Sequence, residues 1–146
     1  MIYIGIDPGA SGGIGIIDTH EGTAEALPYS EENLYQTLHR CDYPFKCMVE
    51  KVGARPGQGV ASMFNFGKAY GYILGALDIS MVPYELVTPQ VWKKEFHLTA
   101  DKKKSIECCK RLFPQVELRR NMKCRTDHDG MAEALLIAEY ARRHMK

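Results

Sequence analysis

Ile2-Tyr3-Ile4-Gly5-Ile6-Asp7-Pro8-Gly9-Ala10-Ser11-Gly12-Gly13-Ile14-Gly15-Ile16-Ile17-Asp18 opens the chain and decides its class. Two β-rich runs, Ile2–Asp7 and Ile14–Asp18, flank a cluster of Pro, Gly and Ser dense enough to force a turn. His20-Glu21-Gly22 marks the next turn and Thr23–Leu27 a weaker third strand, so residues 2–27 read as an antiparallel meander. Ser30 is a candidate N-cap for a short helix running to about Arg40. Phe45–Val49 is a fourth strand ending at Glu50. Its continuous apolar run is that of a strand buried on both faces, as parallel sheets require.

Gly53-Ala54-Arg55-Pro56-Gly57-Gln58-Gly59 admits no regular structure and is a loop. Val60 to about Leu77 follows as a long helix with glycines at 67, 71 and 75. Each Gly costs a helix about 1 kcal/mol relative to Ala, so their four-residue spacing calls for close approach of another backbone, either the sheet or a second subunit. Met81–Val87 is a fifth strand, and Thr88-Pro89-Gln90 starts a short helix through Trp92. Ala100 to about Phe113 is a further helix, stopped by Pro114. Residues 115–125 read as a polar, basic, mobile loop. The closing helix spans about Asp127 to Arg143, with Asp127 as its cap. Phe64 and Phe66, two apart on a helix, are assigned to core or subunit contact rather than base stacking; Tyr84, Trp92 and Phe96 are assigned to the core. The simplest account is one α/β domain over residues 1–146.

Composition narrows the class. At 146 residues, with 45% hydrophobic and 25% charged residues, the chain has the balance of a soluble globular protein. The N-terminus has no basic region before its apolar run, and no apolar stretch approaches spanning length. The expectation is therefore a cytoplasmic protein with no targeting segment and no membrane partner. Five cysteines (Cys41, Cys47, Cys108, Cys109, Cys124) without paired spacing point to reduced thiols rather than disulfides or zinc. The net charge of +1 conceals a polarised chain: residues 1–50 carry 2 basic and 8 acidic groups, whereas residues 93–125 carry 11 basic and 4 acidic. Such a block is either a solvated helix face or a local surface for a polyanion.

The chemistry resides in the acids. Asp129 and Glu133 stand one helical turn apart in an Ala/Leu-rich segment, on what reads as its outer side, and like charges so placed repel. A divalent cation between them reverses the sign of that interaction. Asp7 and Glu50 end strands that, if adjacent and parallel, emerge side by side at the sheet edge where α/β proteins bind ligands. The set Asp7, Glu50, Asp129 and Glu133 is oxygen-rich and suits Mg²⁺ or its substitute Mn²⁺. Two such ions about 4 Å apart serve phosphodiester cleavage. Lys102, Lys103 and Lys104 are candidates to assist at a phosphate. Arg55, Gln58, Lys93, Lys94, Lys104, Arg119, Arg120, Lys123 and Arg125 are candidate DNA contacts.

At these residues the chain resembles the RuvC family of Holliday junction resolvases, within the RNase H-like superfamily. Ile4-Gly5-Ile6-Asp7-Pro8-Gly9, Val49-Glu50-Lys51-Val52, Ser62-Met63-Phe64-Asn65-Phe66-Gly67, Ala100-Asp101-Lys102-Lys103-Lys104 and Asp129-Gly130-Met131-Ala132-Glu133-Ala134 carry the likeness over nearly the whole length. The resemblance implies a five-stranded mixed sheet, three antiparallel strands then two parallel, flanked by helices. It also implies a Mg²⁺-dependent nuclease with two ions per site, acting on four-way or other branched DNA as a homodimer formed through helix 60–77. Two departures are visible. Typical bacterial members write the last motif Asp-x-x-Asp-Ala, whereas Asp129-x-x-x-Glu133-Ala134 resembles plastid and phage members, which implies a phage or prophage origin. Gly130 occupies the position of the usual Asp, making Asp129 the ligand and Asp127 or His128 a reserve. Gly53 replaces an aromatic commonly found three residues past the second acid.

Two other functions fit parts of the pattern. A branched-DNA binding protein with weak or vestigial catalysis would share the basic block but has no use for four acids. An actin-like ATPase or kinase would explain the Asp7-Pro8-Gly9 turn as a phosphate loop, but it needs a second similar domain.

Overall fold

The computed structural model describes residues 1–39 and 44–146. Ten elements follow one another: β1 (Ile2–Asp7), β2 (Gly13–Asp18), β3 (Thr23–Pro28), α1 (Glu31–His39), β4 (Phe45–Glu50), α2 (Val60–Ile79), β5 (Tyr84–Val87), α3 (Pro89–Glu95), α4 (Lys102–Leu112) and α5 (Asp129–His144). The strands form one sheet in the order β3-β2-β1-β4-β5. β1–β2 and β2–β3 pair antiparallel, and β1–β4 and β4–β5 pair parallel. The expected mixed sheet, three antiparallel strands then two parallel, is thus present.

Side chains alternate across each strand, and the alternation divides the core in two. Ile2, Ile4 and Ile6 of β1, with Ile14, Ile16, Cys47 and Val49, pack under α1 and α2 against Leu34, Leu38, Ile73 and Leu77. Tyr3, Ile17 and Met48 face the other way, toward α3, α4 and α5. Three layers result, with the sheet in the middle.

On the α5 side, β1 and β2 present glycines where most strands carry bulk. A Cβ on Gly5 would collide with the backbone of Ala134 and Ala138, and one on Gly15 with that of Ala134 and Leu135. Gly130 returns the fit from the helix, since a Cβ there would collide with Ser11 and Gly12. α5 therefore lies on the sheet backbone to backbone. With α4 packed beside it, every residue from Gly130 to Glu139 is buried. At its far end Glu139, almost fully buried, is forked by Arg142 and Arg143 at 2.7–2.8 Å.

Several boundaries differ from expectation for identifiable reasons. Ser30 does cap α1, its Oγ accepting from the Asn33 N–H at 2.9 Å; the expected end of that helix at Arg40 lies outside the described residues. α2 runs on to Ile79, and Met81 then adopts φ 53°, so β5 starts at Tyr84 rather than at Met81. α3 continues to Glu95, past Trp92. His128, not Asp127, caps α5: its Nδ1 accepts from the Met131 N–H at 3.2 Å, while Asp127 pairs with Lys110. Residues 115–125 are anchored, because Leu118 is buried and its carbonyl accepts from the His128 N–H. A Cβ added at Gly67, Gly71 or Gly75 would meet nothing within 4 Å among the described residues, which removes the sheet as their partner. Phe64 is 72% exposed and Phe66 half-buried, so neither is core. Cys47, Cys108, Cys109 and Cys124 are free thiols; Cys41 lies outside the described residues. Among the described residues no helix is long and apolar enough to cross a membrane.

Gly15→Ala forces α5 off the sheet, because the colliding atoms are backbone and cannot rotate away. The expected cost is about 2 kcal/mol or more, read as a lowered urea midpoint with an unchanged slope.

Candidate functional site

The same alternation that sends Ile6 and Val49 to one side sends Asp7 and Glu50 to the α5 side. The parallel register Ile6↔Val49 then places the two acids next to each other at the strand ends. α5 begins directly opposite, its Gly130 seated on the Ser11–Gly12 turn, so Asp129 and Glu133 overhang the same spot. All four acids line one open cleft of about 1000 Å³, together with Ser11, Arg55, Phe66, Gln90, Lys93, Lys94, His97, Thr99 and Lys102.

Positive charge reaches the acids unevenly. Lys102 Nζ lies 2.9 Å from Asp129 Oδ2, and Lys93 Nζ lies 3.2 Å from Glu133 Oε1. The Glu133 oxygen also accepts from buried Ser105 Oγ at 3.1 Å, and Trp92 Nε1–H donates to Glu50 Oε2 at 2.7 Å. Glu133 is therefore not on the outside of its helix but 7% exposed, with a cation and a hydroxyl in attendance.

The proton affinities follow. Burial pushes the Asp7 carboxyl well above its usual range. The charges of Glu50, Glu133 and Asp129 push it further, and Lys102 only partly offsets them. Burial also raises Glu50, against the Trp92 hydrogen bond. For Asp129 burial is outweighed: the Lys102 hydrogen bond and charge hold it below the usual carboxylate range. Burial lowers the His128 pKa, which keeps its ring neutral and able to accept at the α5 cap.

The donor set fits a hard divalent cation. Its groups are carboxylates, and Asp7 has an unmet demand for positive charge that a cation beside it would satisfy. Among the described residues, no three or more His, Cys, Asp or Glu side chains are arranged to hold an ion as they stand. Lys93 and Lys102 now supply the compensating charge.

The other predicted residues divide clearly. Lys102 enters the cleft, and so do Arg55, Lys93 and Lys94. Lys103 and Lys104 are exposed outside the cleft lining, as are Gln58, Arg120, Lys123 and Arg125. Arg119 is held by a fork to Glu117 at 2.9 Å. Asp127, engaged with Lys110, is also outside the lining. Sequence reasoning missed Trp92 as the Glu50 donor, Ser105 as the Glu133 donor, and the proximity of Lys93 to Glu133. One signal existed for the first two: a Trp or a Ser on the buried side of a helix needs a partner for its polar atom.

No protein-family model matches the chain, and no curated protein sequence matches it at a significant level. Solved structures do. One is "T. thermophilus RuvC in complex with Holliday junction substrate", at 21% identity and TM-score 0.64, covering 99% of this chain and 96% of that one. Another is "Thermus thermophilus RuvC structure", at 22% and 0.63, covering 98% and 96%. The fold is RuvC-like and thus RNase H-like.

The raised Asp7 pKa has a testable sign. A carboxyl that binds its proton more tightly folded than unfolded destabilises the fold increasingly as pH rises above its unfolded value near 3.9, in full above its folded pKa, and not at all below both. Asp7→Asn should therefore raise the melting temperature at pH 7 in chelator-treated protein, and by much less at pH 3.

Proposed function

We propose that this chain is a metal-dependent, structure-selective endonuclease that resolves Holliday junctions by paired symmetric nicks. Residues 1–146 act as one nuclease domain. The observation that carries this reading is the convergence of Asp7, Glu50, Asp129 and Glu133 on one lysine-flanked cleft of a RuvC-like fold. A cluster of like charges lowers stability unless a ligand uses it, so its presence argues for function. The neighbour's Holliday junction substrate supports branched DNA as the partner.

The four acids hold Mg²⁺, with Mn²⁺ as substitute and two ions per site. Bound there, such ions would supply activation of a water and neutralisation of charge at the departing oxygen. Lys102 and Lys93, the ammonium groups nearest the acids, are the ones that would meet the scissile phosphate. Arg55 and Lys94 at the cleft rim grip the flanking backbone, and Lys103, Lys104, Gln58, Arg119, Arg120, Lys123 and Arg125 extend that contact outward. A homodimer suits two nicks related by a two-fold axis. Its contact is α2, whose Phe64 is exposed and whose Gly67 and Gly71 are left uncovered among the described residues. The Asp129-x-x-x-Glu133 spacing supports a phage or prophage origin, and the site of action is the bacterial cytoplasm.

One observation favours a second reading, a branched-DNA binding protein with weak catalysis: two of the four acids already carry lysine partners. The two readings separate in one experiment. The protein is incubated with four-way, three-way, fork and linear duplexes across Mg²⁺ and Mn²⁺ titrations, and the nicks are mapped. Symmetric paired nicks confined to the four-way substrate are expected. Asp7→Asn and Glu50→Gln should abolish them while retaining junction binding; either variant cutting at near the wild-type rate would remove the assignment. Phe64→Glu should leave the fold intact and shift the protein to monomer in sedimentation.

A further inference from the structure

Trp92 is the only tryptophan in the chain and is fully buried, yet its one polar atom reaches an acid of the cleft. Its ring is held edge-on to Phe96, with centroids 6.5 Å apart, and Lys93 Nζ lies 5.3 Å from its centre. That ammonium is the one paired with Glu133, so two consecutive residues of α3 attend to two different acids of the cleft. The terminal torsion of a glutamate is broad and roughly two-fold, so a Glu at a strand end has no intrinsic preference for where its oxygens point. A donor fixed by packing removes that freedom by claiming one oxygen.

We propose that Trp92 is a positioning residue for the acid cleft, its packed indole N–H holding Glu50 Oε2 so that the other oxygen is presented to a cation. The inference rests on the reading above, in which Glu50 is a metal ligand. A purely space-filling role does not account for the 2.7 Å contact: Phe would fill the layer beside Phe96 without placing a polar atom at the strand end. A fused ring buried on all sides holds its donor more firmly than a surface hydroxyl could. Carboxylates that bind metals depend on such outer partners, and losing one weakens the site about tenfold or more.

The test uses the full chain and titrates Mn²⁺ by calorimetry into wild type, Trp92→Phe and Glu50→Gln. Wild type is expected to bind and Glu50→Gln to lose binding. Trp92→Phe, which keeps an aromatic ring but deletes the N–H, should bind about tenfold more weakly. The Mn²⁺ concentration for half-maximal junction nicking should rise by the same factor, with the junction KM unchanged. Replacing Trp92 by its 3-benzothienyl isostere, which keeps the ring's full size without the N–H, should reproduce the shift if Trp92→Phe fails to fold. Wild-type tryptophan emission should also change with the calorimetric midpoint, because the single indole touches Glu50. Either Trp92 variant binding Mn²⁺ as tightly as wild type, or emission staying constant through the transition, would overturn the positioning role alone. A wild type that takes up no Mn²⁺ would overturn the metal-site reading and this inference with it.

Discussion

Everything in this structure depends on the closeness of α5 to β1 and β2. Gly5 and Gly15 on the sheet leave no side chain in the way, so the helix backbone at Ala134, Leu135 and Ala138 rests on strand backbone. Gly130 does the same for the first turn of the helix against Ser11–Gly12. An ordinary helix–sheet contact carries side chains between the layers. Removing them brings the first turn of α5 down to the level where β1 and β4 end. Asp129 and Glu133 then share a cleft with Asp7 and Glu50.

That closeness has an electrostatic consequence. Four carboxylates in a partly buried cleft repel one another, and the chain answers with two lysines rather than four. Lys102 and Lys93 attend to the acids on α5, and the indole of Trp92 serves Glu50. Asp7 is left with burial and the charges of Glu50, Glu133 and Asp129, only partly offset by Lys102, and its carboxyl accordingly stands well above its usual range. A protein selected for stability alone would not keep such a residue at the end of its central strand. The arrangement stores a demand for positive charge at one point and places two ammonium groups on the neighbouring acids.

Much of this was legible in the residues. The β-rich runs on either side of the Pro8–Gly13 turn and the apolar run of β4 gave the meander and the parallel pairing, and chain order placed Asp7 and Glu50 at strand ends. The acid pair on the last helix declared itself because Glu133 has no capping role. Other features were hidden by competition between equally good local signals. Asp127 suits an N-cap by residue type, but it is engaged by Lys110 and the residue after it, His128, takes the cap instead. Residues 115–125 look like free loop in composition, because one buried Leu118 among polar neighbours carries no periodicity. Lys102, Lys103 and Lys104 are indistinguishable in sequence; only the direction of the first turn of α4 sends Lys102 alone toward Asp129.

By itself, the sequence determined which strands and helices form and which residues carry charge, since both follow from local periodicity and side-chain chemistry. The tertiary structure decided which charges meet. Glu133 is buried rather than outward because α3 and α4 close over it, bringing Lys93 and Ser105 from 40 and 28 residues away. Trp92 reads as a core aromatic until the sheet sets the end of β4 against α3 and turns its N–H into the partner of Glu50. The physical reason is range: propensity acts over a few neighbouring residues, whereas hydrogen bonds and ion pairs act between whichever groups packing brings within about 3 Å.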